Sequence, residues 1–100
     1  MDRYVLFINT SSDYLMYPLK AFIGARYASA TTIDLYFEKA PLAYKVTLTI
    51  ETGTGAEVAS KIGELFSGYT GFIIKFDEIK GIMPFPEISS IDSFSKVIIR

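Results

Sequence analysis

Residues 47 to 66 read TLTIETGTGAEVASKIGELF. A strand, a glycine-rich turn and a helix in that order can cradle a phosphate, because backbone N–H groups and a helix N-terminus attract an anion. A phosphate loop of the Walker type also needs lysine followed by serine or threonine after its glycines. Here Gly55 is followed by Ala56, Glu57 and Val58. A dinucleotide fingerprint needs a further glycine or alanine three residues after the second glycine, and Val58 takes that place. The preceding strand alternates polar and apolar, whereas strands that feed such loops are apolar on both faces. Glu51 and Glu57 would put negative charge beside a bound phosphate. The stretch is therefore expected to be a corner in the chain. Thr54 suits the helix N-cap, and Glu57 three residues on completes a capping box.

Acid–base chemistry has two candidate pairs. Asp34 and Glu38 share a strand face about 13 Å apart, whereas the carboxylates of glycosidases stand roughly 5–9.5 Å apart. Asp77 and Glu78 are adjacent and point to opposite sides of an extended chain. All four are expected on solvated strand faces. The chain has no histidine and no cysteine. That removes imidazole bases, thiol nucleophiles, disulfides and the usual zinc ligands, and leaves no base to activate a serine. The expectation is a protein without catalytic residues, metal or cofactor.

Aromatic residues beside cations are the remaining chemistry: Arg3–Tyr4, Arg26–Tyr27, and Tyr44–Lys45 near Tyr36. Exposed aromatic rings stack bases while cations hold phosphates. The candidates for phosphate contact are Arg3, Arg26, Lys39, Lys45 and Lys80, with Tyr36 for stacking. The same tyrosines also suit a core or a subunit contact, where large aromatics dominate burial.

The elements that must position these residues read mostly as strands. Half of the 100 residues are hydrophobic and 15% are aromatic. This predicts a single domain over 1–100, with apolar surface left for a partner. Ten basic and eleven acidic side chains lack the basic excess of a non-specific nucleic-acid binder. Residues 1–50 carry five basic and four acidic side chains against five and seven in 51–100, so a cationic patch draws on the first half. No apolar run reaches the roughly 18–20 residues of a membrane span and no signal peptide opens the chain. A soluble cytoplasmic protein with no membrane contact is expected.

RYVLFIN is apolar on both sides of the pleat, YLMYP is a brief second strand, and LKAFIGARYASA a third in which Gly24 marks a bulge or a tolerated glycine. TTIDLYFE and YKVTLTIE alternate cleanly and predict an antiparallel hairpin. Keeping the apolar faces together requires paired residue numbers with an odd sum. A sum of 83 sets Glu38 opposite Lys45, and a sum of 81 sets Tyr36 there. The opposite-charge pair, worth roughly 0.2–1 kcal/mol, favours 83. Val58, Ile62, Leu65 and Phe66 then recur at helical spacing and predict a helix ending near Gly68, lying on the sheet. GFIIKFDEI follows as a strand with Phe72, Ile74 and Phe76 on one face. SKVIIR is a last one, closing a barrel or pairing with a neighbouring subunit.

The phrase SATTIDLYF, within IGARYASATTIDLYFE and KVTLTIETG, resembles a family of short uncharacterised marine-metagenome and cyanophage proteins over roughly residues 3–68. The resemblance implies an Sm-like fold, a small, strongly bent antiparallel barrel whose protomers form homo-oligomeric rings. Nucleic-acid binding is the usual suggestion for such rings. If Asp34 stands for the aspartate of the Sm base-pocket phrase, Phe37 and Glu38 stand in its methionine and asparagine places, and Lys80–Gly81 for its Arg-Gly pair. The helix here follows the main hairpin, whereas Sm proteins place theirs before the strands. The expected protein is thus mainly β, a barrel with one amphipathic helix after the central hairpin. It would form a ring through the edges of RYVLFIN, GFIIKF or SKVIIR, and bind single-stranded RNA or DNA. The alternative is a structural or adaptor phage protein that binds protein alone.

Overall fold

The central hairpin forms as its alternation dictates. In a computed structural model that describes residues 3–39 and 42–98, β4 (Thr32–Lys39) and β5 (Leu42–Ile50) pair antiparallel. Ile33, Leu35, Phe37, Val46, Leu48 and Ile50 are buried on one face. The register is the sum-81 one, with Tyr36 opposite Lys45 and Glu38 opposite Ala43. The expected Glu38–Lys45 pair does not form. In its place Asp34 lies opposite Thr47 and accepts a hydrogen bond from its hydroxyl at 2.7 Å. The Lys45 ammonium lies 4.0 Å from the same carboxylate. A sum of 83 would set Thr49 opposite Asp34 and supply the same hydroxyl, so what the observed register changes is the partner of Lys45, Asp34 in place of Glu38.

On the other side of β4 runs β3 (Phe22–Ser29), after a single 3-10 turn over Leu19–Ala21. Phe22 pairs with Phe37 but Gly24 pairs with Tyr36, so Ile23 is the extra residue of a bulge. Gly24 has φ +154°, where a side chain would be strained. The glycine reading as a bulge is right.

The last strand is longer than SKVIIR, with residues 99–100 outside the described range. As β7 it runs Ile88–Ile98 and pairs antiparallel with β5. It bulges at Asp92, because Ser93 faces Thr47 while Ile91 already faces Leu48. The Ile91 N–H donates to Glu78 Oε1 at 2.7 Å, which satisfies a donor at the bulge.

The remaining strands make a second sheet in the order β2–β1–β6. β1 (Tyr4–Thr10) is central, antiparallel to β2 (Asp13–Pro18) and parallel to β6 (Ile73–Asp77). This corrects two expectations. RYVLFIN is not a free edge, and the strands are not all antiparallel, because the chain reaches β6 through the helical crossover that a parallel pair requires. Nor do the described strands close into a barrel. Hydrogen bonding divides them into this sheet and a four-stranded one, β3–β4–β5–β7, since β1 spends both edges on β2 and β6. The free edges are β2, β3, β6 and β7.

The two sheets share one core. Val5, Phe7, Ile74 and Phe76 from the small sheet meet Leu35, Phe37, Val46 and Leu48 from the large one. Rings link the layers: Phe37 lies 5.7 Å from Phe7, 5.4 Å from Tyr17 and 5.4 Å from Phe22. Burial and the nearby Tyr44 push the Tyr17 hydroxyl up to about 12, so it stays a neutral member of this cluster. Phe72, which alternation sets on one face with the buried Ile74 and Phe76, is 65% exposed because it precedes β6.

Helix α1 (Gly55–Gly68) packs against β3 and β4 through Val58, Ile62 and Phe66, with Leu65 only half-buried. Thr54 is its N-cap residue, but the capping box does not form. Its hydroxyl instead donates to the Glu51 carbonyl at 2.7 Å, closing the turn that precedes the helix. No helix among the described residues is long and apolar enough to cross a membrane.

Lys61 fastens the helix to the start of β7. Its ammonium donates to both Glu87 oxygens at 2.8 and 2.9 Å, with Glu57 at 3.4 Å. The hydrogen bonds from Lys61 hold the Glu87 carboxyl below its ordinary range. Those to Glu87 lift Lys61 above its own. A depressed carboxyl stabilises the fold above its unfolded pKa, and that contribution is lost as the pH falls through the folded value. The raised lysine loses its share only above the ordinary lysine range. Glu87→Gln is thus expected to melt below the wild type at neutral pH and to converge with it in acid, below about pH 4. Thermal melts of both proteins from pH 2.5 to 8 check this. A gap that stays constant over that range would show that the charge contributes nothing.

Candidate nucleic-acid interface

Strand pairing builds a polar surface on the side of the large sheet away from the core. One rung reads Arg26–Asp34–Thr47–Ser93 across β3, β4, β5 and β7. The next reads Gly24–Tyr36–Lys45–Ser95. Side chains on paired positions share a face, so Arg26, Tyr36 and Lys45 come together, with the first and last Cα atoms roughly 12 Å apart. Arg26 is exposed, while Tyr36 and Lys45 are half-buried.

Two residues outside the phosphate-contact and stacking candidates shape this surface. Gly24 leaves the place beside Tyr36 open, and a Cβ built there would meet nothing within 4 Å. Asp34 is 8% exposed and is held by Thr47 and Lys45. It is not the solvated strand residue the alternation predicts. Alternation says that it leaves the core face, but not that its neighbours on adjacent strands then cover it. With Glu38 exposed at the far end, Arg26 and Lys45 are balanced by two carboxylates.

The other candidates lie elsewhere. Arg3 precedes β1 and borders a shallow depression of about 210 Å³ with Lys20, Phe66 and Tyr69. Lys80 lies in the turn after β6, on the small sheet, where its N–H donates to Asp77 Oδ1 at 3.1 Å. Lys39 ends β4 opposite Leu42, and its side chain falls outside the described residues.

Asp77 is 5% exposed and Glu78 binds the β7 bulge, so neither carboxylate is the solvated residue expected. At the glycine-rich corner Gly53 has φ +80° and donates its N–H to the Ala30 carbonyl at 3.0 Å. The Thr54 N–H goes to Glu51 at 3.2 Å. These donors serve the chain itself, tying the corner to the β3–β4 turn.

This surface offers half-open stacking on Tyr36 beside two cations. Comparisons with protein-family models, with curated proteins and with solved structures give no match for the chain.

Proposed function

We propose that the protein is a non-enzymatic, homo-oligomeric ring protein that binds single-stranded RNA or DNA on the outer face of β3–β4–β5–β7. The observation that carries this reading is the register that brings Arg26, Tyr36 and Lys45 to one face with Gly24 leaving room beside the ring. A base stacks on Tyr36, and the backbone of the strand runs between Arg26 and Lys45. The resemblance of residues 3–68 to an Sm-like family supports it further. The open outer edges of β3 and β7 are the means of ring assembly.

Fluorescence anisotropy with short single-stranded RNA and DNA at low and moderate salt tests the binding. Affinity is expected to fall with salt, and Tyr36→Ala to weaken binding by roughly 1–3 kcal/mol. Arg26→Gln and Lys45→Gln are each expected to lower the salt slope by about 1. Absence of binding at low salt sinks the reading. Light scattering after size exclusion tests the ring, and a mass of one chain excludes it.

The second reading is a structural or adaptor protein that binds protein alone. It is favoured by the β3 edge, where Ile23 and Tyr27 are 56% and 71% exposed. An oligomer that ignores nucleic acid at low salt is its expected signature.

A further inference from the structure

The outer face of the small sheet is apolar where that of the large sheet is polar. Val5 and Phe7 take the core side of β1, so Leu6 and Ile8 face outward. Pairing sets Met16 beside Leu6 and Tyr14 beside Ile8, and sets Lys75 on the other flank of Leu6. Met16 is 51% and Tyr14 63% exposed. Ser11 and Ile79, from the turns after β1 and β6, border one end. The result is a groove of about 520 Å³, within the roughly 300–1,000 Å³ of small-molecule sites.

Its charges lie to one side. Lys75 and Lys80 both line the groove, both are exposed, and neither side chain joins an ion pair among the described residues. The one acid in the lining, Asp77, is buried and turned to the Lys80 N–H. Two ammonium groups against one carboxylate leave the lining net positive. An apolar floor with a cationic rim complements a molecule with an apolar body and an anionic head.

We propose that this groove binds a free anionic amphiphile. Its hydrocarbon or aromatic body lies over Leu6, Ile8, Tyr14 and Met16, and its carboxylate, sulfate or phosphate head rests at Lys75 and Lys80. Binding here is independent of the nucleic-acid face, which lies on the other sheet. The groove's volume and the two turns that border one end suit a single small molecule.

The test is a two-dimensional amide NMR titration of the full chain with sodium decanoate below its micelle concentration, with decanol as the uncharged comparison. Saturable shifts confined to β1, β2, β6 and the turns at Ser11 and Ile79 are expected, with decanol about five- to tenfold weaker. The double variant Lys75→Gln, Lys80→Gln is expected to bind decanoate no better than decanol. Met16→Glu, on an exposed position, is expected to lose both ligands while keeping the core amide shifts. Equal affinity of the wild type for decanoate and decanol overturns the proposal, as do shifts outside this face or shifts that never saturate. Co-sedimentation with phosphatidylglycerol vesicles without decanoate binding also overturns it, by assigning the face to a bilayer. So does a light-scattering mass that Met16→Glu alone lowers, which would assign the face to a second copy.

Discussion

Phe37→Ala is expected to lower the unfolding free energy by about 3–5 kcal/mol. Phe37 is fully buried, and its ring is where four elements meet. It packs edge-on against Phe7 of β1, stacks with Tyr17 of β2, and lies 5.4 Å from Phe22 of β3 and 6.4 Å from Phe66 of α1. Alanine would leave a cavity that none of these can fill alone, because each is held by its own backbone and by the other rings. A domain of this size has a net stability of about 5–15 kcal/mol, so the loss is a large share of the whole. The melting temperature should fall by roughly 12 °C or more. Urea titration should show a lower midpoint with the slope unchanged, as for a change in stability rather than in compactness. A loss below about 1 kcal/mol would mean that the ring does not hold the layers together.

Ile62→Ala is expected to cost about 2–5 kcal/mol. Ile62 is fully buried between Val58 and Phe66 on the face that α1 turns to the sheets. The substitution also gains something, because alanine is the better helix former by up to about 0.7 kcal/mol. Burial decides the sign, since the helix is held mainly by this apolar stripe. The next residue gives the converse case. Gly63 is exposed in the same helix, and a Cβ there would meet nothing within 4 Å. Gly63→Ala should therefore stabilise by about 0.5–1 kcal/mol. Opposite signs at adjacent positions, read by chemical denaturation, would establish which side of the helix faces the core. The same sign at both would refute that packing.

Much of the local structure was legible in the residues. The alternation from Thr32 to Ile50 marks the hairpin and its buried face, and the spacing of Val58, Ile62 and Phe66 marks the helix and its buried stripe. Gly24 marks the bulge. The candidate site was legible in part. Arg26, Tyr36 and Lys45 are recognisable as a cation–aromatic set, but Arg3 and Lys80 belong to other regions of the molecule. Neither the role of Asp34 nor the opening at Gly24 has a sequence signal, since each depends on which residue lies across the strand boundary.

Periodicity along the chain thus determined what each segment is. The reason is geometric: a strand repeats every two residues and a helix every 3.6, and the apolar positions record which. Tertiary structure alone decided what each segment lies beside. Sums of 81 and 83 preserve the same buried face and set a threonine opposite Asp34 in either case, so alternation along the two strands leaves the choice open. RYVLFIN is apolar on both sides whether central or at an edge, and it became central because β6 returns parallel to it after the helix. The separation into two sheets, one polar outside and one apolar, follows from these pairings between residues far apart in sequence. No local window of sequence holds both partners of such a pair.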